Sequence, residues 1–169
     1  MGRNEVDRYL DVLEDSFGAA AAASEEEAAD DLALSFLQDL NLADALERLG
    51  PYRCCPRGGT PQPILEVGAD YVVIDSGHPS IVPLAAALYR AHPGAPVPRI
   101  APRTMIELLR HLVRQGVDVV VDHGAGHATG TLKRAGRDHV ALDVRGAEML
   151  IPLAGVMSIA LGEEQVWRF

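Results

Sequence analysis

A motif that occurs twice constrains this chain more than any other feature. Gly68, Asp70, Val72 and Asp75 fall on Gly136, Asp138, Val140 and Asp143 at a constant offset of 68. After one inserted residue, Val82-Pro83-Leu84-Ala85 falls on Ile151-Pro152-Leu153-Ala154 at an offset of 69. The shared pattern is G-x-D-x-V-x-x-D, a short gap, then an apolar residue and P-L-A. Recurrence at this spacing means a repeated supersecondary unit. Within the motif the glycine permits a tight strand connection. The aspartate can accept backbone amides there. Alternate positions such as Val140 and Leu142 then point to one face.

The repeat extends backwards. Arg48-Leu49-Gly50 and Arg114-Gln115-Gly116 both read as helix ends, with glycine as the stop signal. In the second copy Thr104-Met105-Ile106-Glu107 is a capping box, and Met105, Leu108, Leu109 and Leu112 line one helix face. Short strands follow at Tyr52–Cys55, 64–67, 71–74 and 81–82 in the first copy. In the second copy Val117–Val121 is a strand and 123–130 reads as a glycine-rich turn. Each unit is therefore a helix followed by about five short strands. Such strands cannot bury a face as an open sheet, and closure into a barrel removes the exposed edges.

The expected fold class is α+β: two tandem small antiparallel β-barrels, each preceded by a helix, with an extra acidic helix at the N-terminus. The expected organisation is an amphipathic helix and Ala-rich linker (1–23), a helix plus first barrel (24–91), a Pro-rich linker (92–102), a helix plus second barrel (103–162) and a tail (163–169). The first helix carries Val6, Tyr9, Leu10, Leu13 and Phe17 on one stripe. Ser24-Glu25-Glu26-Glu27 caps the next, whose buried side is Leu32, Phe36, Leu37 and Leu40. Asn41 and Asp44 can cap a further short segment.

Composition narrows the class. With 48% hydrophobic residues the chain can bury a core. Its adjacent cysteines, Cys54 and Cys55, do not suggest a disulfide framework, and they place it by default in a reduced cytoplasmic compartment. The longest apolar run, Leu150 to Leu161, is 12 residues broken by Pro152, too short for a membrane helix. The first ten residues lack an apolar signal core. Residues 1–50 hold 13 acidic and 3 basic side chains, whereas residues 51–169 hold 11 and 12. An acidic chain is a poor general nucleic-acid binder.

Over 102–161 the order of helix and five strands resembles the Sm/Hfq-like small β-barrel superfamily, including short bacterial Sm-like proteins of unassigned role. Helix 104–115, strand 117–121 and Gly130-Thr131-Leu132 look like the first Sm motif. The I-x-x-x-x-V-x-x-I spacing after Ile151 looks like the second. The asparagine and the Arg-Gly pair that contact RNA in that family are replaced here by His139-Val140 and Pro152-Leu153. The resemblance therefore implies a barrel that assembles through strand edges, often into rings, and carries over no RNA site.

His123 and His127 in DHGAGH, near Asp118 and Asp122, offer imidazole and carboxylate groups suited to Zn²⁺ or Ni²⁺. Their H-x-x-x-H spacing is diagnostic only on a helix, and two glycines make this a turn. The glycines of 124–130 do not lead from a strand into a helix, so no P-loop or dinucleotide fingerprint is supported. No Ser/His/Asp set has a nucleophile-elbow context. Lys133, Arg134 and Arg137, with Arg103, Arg110 and Arg114 on or beside the preceding helix, form a candidate basic rim for RNA.

The sequence thus points to a non-enzymatic, cofactor-free protein–protein interaction module that forms a homo-oligomer. Its expected assembly edge is Ile151, Pro152, Leu153, Val156 and Ile159. Trp167 and Phe169, or the N-terminal helix, are further candidate docking elements. RNA binding at the basic rim and metal binding at His123/His127 are the alternatives.

Overall fold

The computed structural model describes residues 40–48, 51–56 and 59–162, together with Leu32 and Ser35. The chain divides into two units, 1–40 and 41–169. In the first, the helix expected from Asn4, the Ser24 capping box, Phe36 and Leu37 lie outside the described residues, as do Trp167 and Phe169 in the second. Leu32, expected on a buried side, is exposed.

The second unit opens with helix α1 (Leu42–Arg48), which the Asn41 side chain caps by accepting the Asp44 amide at 3.0 Å. There follow β1 (Tyr52–Pro56), β2 (Gln62–Val67), β3 (Tyr71–Asp75), β4 (Pro79–Pro83), a 3-10 turn at Leu84–Ala86 and β5 (Ala87–Ala91). The proline-rich stretch contributes β6 (Arg99–Ile100). Helix α2 (Met105–Gln115) leads into β7 (Asp118–His123), β8 (Gly126–Ala135), β9 (His139–Val144), β10 (Ala147–Pro152), a second 3-10 turn at Leu153–Gly155 and β11 (Val156–Leu161).

The strands form a single open sheet in the order β10-β9-β8-β7-β11-β4-β3-β2-β1-β5, with β6 added in parallel beside β2. Every other pairing is antiparallel. This corrects the expectation of two tandem barrels each behind a helix: among the described residues the chain has one eleven-stranded sheet and two short helices. The edge of β4 that closure would have consumed is instead paired with β11, Ile81 opposite Ile159 and Ser80 opposite Ala160.

The core explains why closure fails. One cluster joins Met105, Leu108, Leu109 and Leu112 of α2 to Val119, Val121, Leu132, Val140, Leu142 and Ile159, and it also takes Tyr71, Val73 and Ile81 from β3 and β4. A second joins Leu46 of α1 to Cys54, Ile64, Val67, Val72, Ile74 and Val82. Side chains alternate across a strand, so β3 and β4 feed one cluster from each face. A strand with both faces buried reads as a continuous apolar run, as Tyr71-Val72-Val73-Ile74 does. Neither half encloses its own core.

Several local readings hold. Thr104 and Glu107 form the capping box, the Glu107 amide donating to the Thr104 hydroxyl and the Thr104 amide to the Glu107 carboxylate. Gly116 ends α2 at φ 63. The turn expected over 123–130 is only Gly124-Ala125, and β8 already begins at Gly126. Gly130 serves close strand approach there, since a side-chain carbon would collide with the Asp143 carbonyl.

The repeated motif makes the same bonds twice. The Gly68 amide donates to the Tyr71 carbonyl and the Gly136 amide to the His139 carbonyl, at 2.9 and 2.8 Å. The Leu84 amide donates to the Asp70 carbonyl and the Leu153 amide to the Asp138 carbonyl, at 3.0 and 2.8 Å. In each copy the ring three residues after the glycine lies where a side chain would start. The aspartates diverge. The Asp70 carboxylate accepts the Met105 amide at 2.6 Å and so anchors the start of α2, whereas the Asp138 carboxylate pairs with His139. That bond to His139 holds Asp138 below the usual carboxylate range.

Candidate functional site: the two ends of the sheet

An open sheet ends in two strands whose outer backbone groups lack a neighbour, the usual template for pairing with another chain. Here they are β10 and β5, and neither gains a second partner among the described residues. Both edges carry large apolar side chains in water: Met149 (43% exposed) and Leu150 (57%) on β10, Leu88 (78%) on β5. An apolar recess lies beside each. One of about 340 Å³ is bordered by Val121, His123, Leu150 and Ile151. The other, of about 390 Å³, is bordered by Cys55, Pro56, Ala87 and Leu88.

The seam inside the sheet shows what such an edge looks like when covered. Val72 faces Val82 as Val140 faces Ile151, so β4 and β10 occupy equivalent positions beside β3 and β9. Ile81 on β4 is therefore the counterpart of Leu150. Ile81 is fully buried, with β11 beside it and the α2 core packed on its face, whereas Leu150 has no strand outside it among the described residues. On the other partner, β11 lies outside β7 as β5 lies outside β1. Both ladders turn an apolar pair inward there, Val121 with Ile159 and Cys54 with Tyr89.

Of the residues expected at an assembly edge, Ile151 and Pro152 lie on the free strand β10, and Leu153 in the turn that follows. Val156 and Ile159 lie on β11, between β7 and β4, and both are buried. Met149, Leu150 and Leu88 did not stand out in the sequence. The offset that aligns Ile81 with Leu150 is the signal that finds them.

Several residues of the expected basic rim make contacts within the chain. Lys133 reaches Asp143 at 3.8 Å and Arg134 reaches Glu148 at 2.9 Å, while Arg137 sits in the β8–β9 connection. Arg110 donates to the Ala135 carbonyl, Arg114 contacts His111, and Arg103 turns inward to Glu66. The β7–β8 register sets His127 opposite Asp122 and His123 opposite Gly126, which puts the two imidazoles on opposite faces of the hairpin. The His123 ring packs on Gly155, and its Nδ1 accepts the Ala125 amide. Among the described residues no three His, Cys, Asp or Glu side chains group as metal ligands. Cys54 and Cys55 are free thiols. No helix among the described residues is long and apolar enough to cross a membrane.

No protein-family model matches the chain. No curated protein matches it at a significant level.

Proposed function

We propose that this protein is a non-enzymatic self-assembling module whose copies join head to tail, β10 of one against β5 of the next. The observation that carries the reading is the β4–β11 seam: the chain already makes this contact once internally and, among the described residues, leaves its counterparts open at both ends. Pairing them buries Met149, Leu150 and Leu88, each an apolar side chain worth about 1.5–3 kcal/mol when fully removed from water. Because the two surfaces differ, the contact is heterologous and generates rings if the rotation closes.

Sedimentation velocity tests it. The wild type is expected to run well above the 18.1 kDa of one chain. Leu150→Lys and Leu88→Lys, each blocking one edge, are each expected to give monomers. An equimolar mixture of the two then yields a dimer and nothing larger, since one intact β5 and one intact β10 remain. A monomeric wild type at high concentration, or a Leu88→Lys variant that still assembles, sinks the head-to-tail model.

A further inference from the structure

Arg53 on β1 and Arg90 on β5 stand directly opposite each other in the ladder. Cys54 and Tyr89, the next pair along, turn into the second core cluster, so the two arginines share the outer face. Like charges placed directly opposite destabilise a strand pair. Among the described residues no carboxylate pairs with either guanidinium. The Arg53 Nε is buried and donates to nothing, while its Nη1 makes only a long 3.4 Å bond to the Pro61 carbonyl. A surface cavity of about 460 Å³ opens over the pair, bordered also by Pro61, His92 and Pro93. The Gly94 amide occupies His92 Nδ1 at 3.4 Å, which leaves Nε2 as the ring's remaining polar atom. No pair of the β7–β11 ladder sets two like charges opposite each other.

The geometry points to an oxyanion site between Arg53 and Arg90 that takes the phosphate of a small phosphorylated molecule. A dianion cancels the repulsion between the two guanidiniums and meets their forks with parallel, charge-assisted bonds. The cavity falls in the range of small-molecule sites and exceeds what one phosphate fills. Pro61 and Pro93 give the carbon part of the ligand an apolar wall. Arg90 lies on the edge strand β5, so binding is also measured on Leu150→Lys, in which that edge stays uncovered.

Isothermal titration calorimetry at low salt tests this on the full chain, with inorganic phosphate and ribose 5-phosphate as probes. A dissociation constant below about 1 mM for at least one probe is expected, weakened about tenfold or more in Arg90→Met. Tighter binding of ribose 5-phosphate identifies a phosphorylated molecule as the ligand, and equal binding identifies free phosphate. Arg90 is exposed, so Arg90→Met is expected to fold and, relieved of repulsion, to melt no lower than the wild type. Phosphate raises the melting temperature of the wild type but not of the variant. Arg90→Gln gives the same comparison without an added apolar side chain. No binding of either probe up to about 10 mM, or binding that Arg90→Met and Arg90→Gln leave unchanged, overturns the assignment.

Discussion

The Tyr71 hydroxyl donates to the Glu66 carboxylate at 2.6 Å, and neither residue has any exposed surface. Arg103 completes the group, its Nη2 reaching Glu66 Oε1 and its Nε reaching the Tyr71 oxygen, both at 3.0 Å. Arg99 approaches the second Glu66 oxygen at 3.9 Å. The network binds β2 and β3 to the segment that leads into α2, and it sits where β6 lies against β2.

Removing one member of a buried ion pair strands the other and costs about 3–5 kcal/mol. Arg103→Met is expected to destabilise by that amount in urea unfolding. Tyr71→Phe, which removes one hydroxyl and keeps the ring, is expected to cost about 1–3 kcal/mol. The reverse order would show that the tyrosine hydroxyl, and not the Arg103 charge, governs this region.

The two motif glycines predict unequal penalties. Gly68 lies under the Tyr71 ring, which is locked by burial and by Glu66. Gly136 lies under the His139 ring, which is partly exposed and held by Asp138 alone. Gly68→Ala is expected to cost about 2 kcal/mol or more, and Gly136→Ala about half of that, because a free ring can swing aside. Paired melting curves of the two variants decide it.

Alkali should weaken the protein. Burial, aided by Cys55, pushes the Cys54 thiol from 9.0 up to about 12. Burial also raises the Tyr89 hydroxyl, and burial plus the bond to Glu66 raises that of Tyr71. These groups stay protonated in the native state while the unfolded chain ionises them. Above pH 9 the unfolded state therefore holds fewer protons, and stability falls as pH rises. It is intact below pH 9 and is lost progressively toward pH 12. Urea midpoints that do not change between about pH 7 and about pH 10.5 would refute this.

The β9–β10 hairpin offers a gain. Arg145 sits at φ 57 and Gly146 at φ 85, so both turn residues lie in the left-handed region that two-residue hairpins require. Asparagine tolerates that conformation far better than arginine. Arg145→Asn is expected to stabilise by about 0.5–1 kcal/mol, read as a higher melting temperature.

The strands of the second half were legible because their signals are local: a capping box, a stop glycine and alternating apolar residues from Val117 to Leu142. The sheet as a whole was not. Nothing in Ile81 or Ile159 separately tells that they face each other across the middle of an open sheet, because that pairing joins strands far apart in the chain. Nor does anything local to Tyr71 and Val73 announce that they are covered, since α2, which packs on them, arrives only after a proline-rich stretch. The candidate edge was half legible. Ile151 and Pro152 stand out as motif residues, whereas Met149, Leu150 and Leu88 matter through the absence of a neighbour, which composition does not encode. Arg53 and Arg90 are 37 positions apart and meet only through the register of β1 with β5.

The core built around α2 borrows Tyr71, Val73 and Ile81 from the other side of the seam. A backbone cut between His92 and Pro98 would therefore not release two domains. Each fragment would present an apolar face shaped for the other, and the pieces would behave as one protein supplied in two parts, each folding fully only on recombination with its complement.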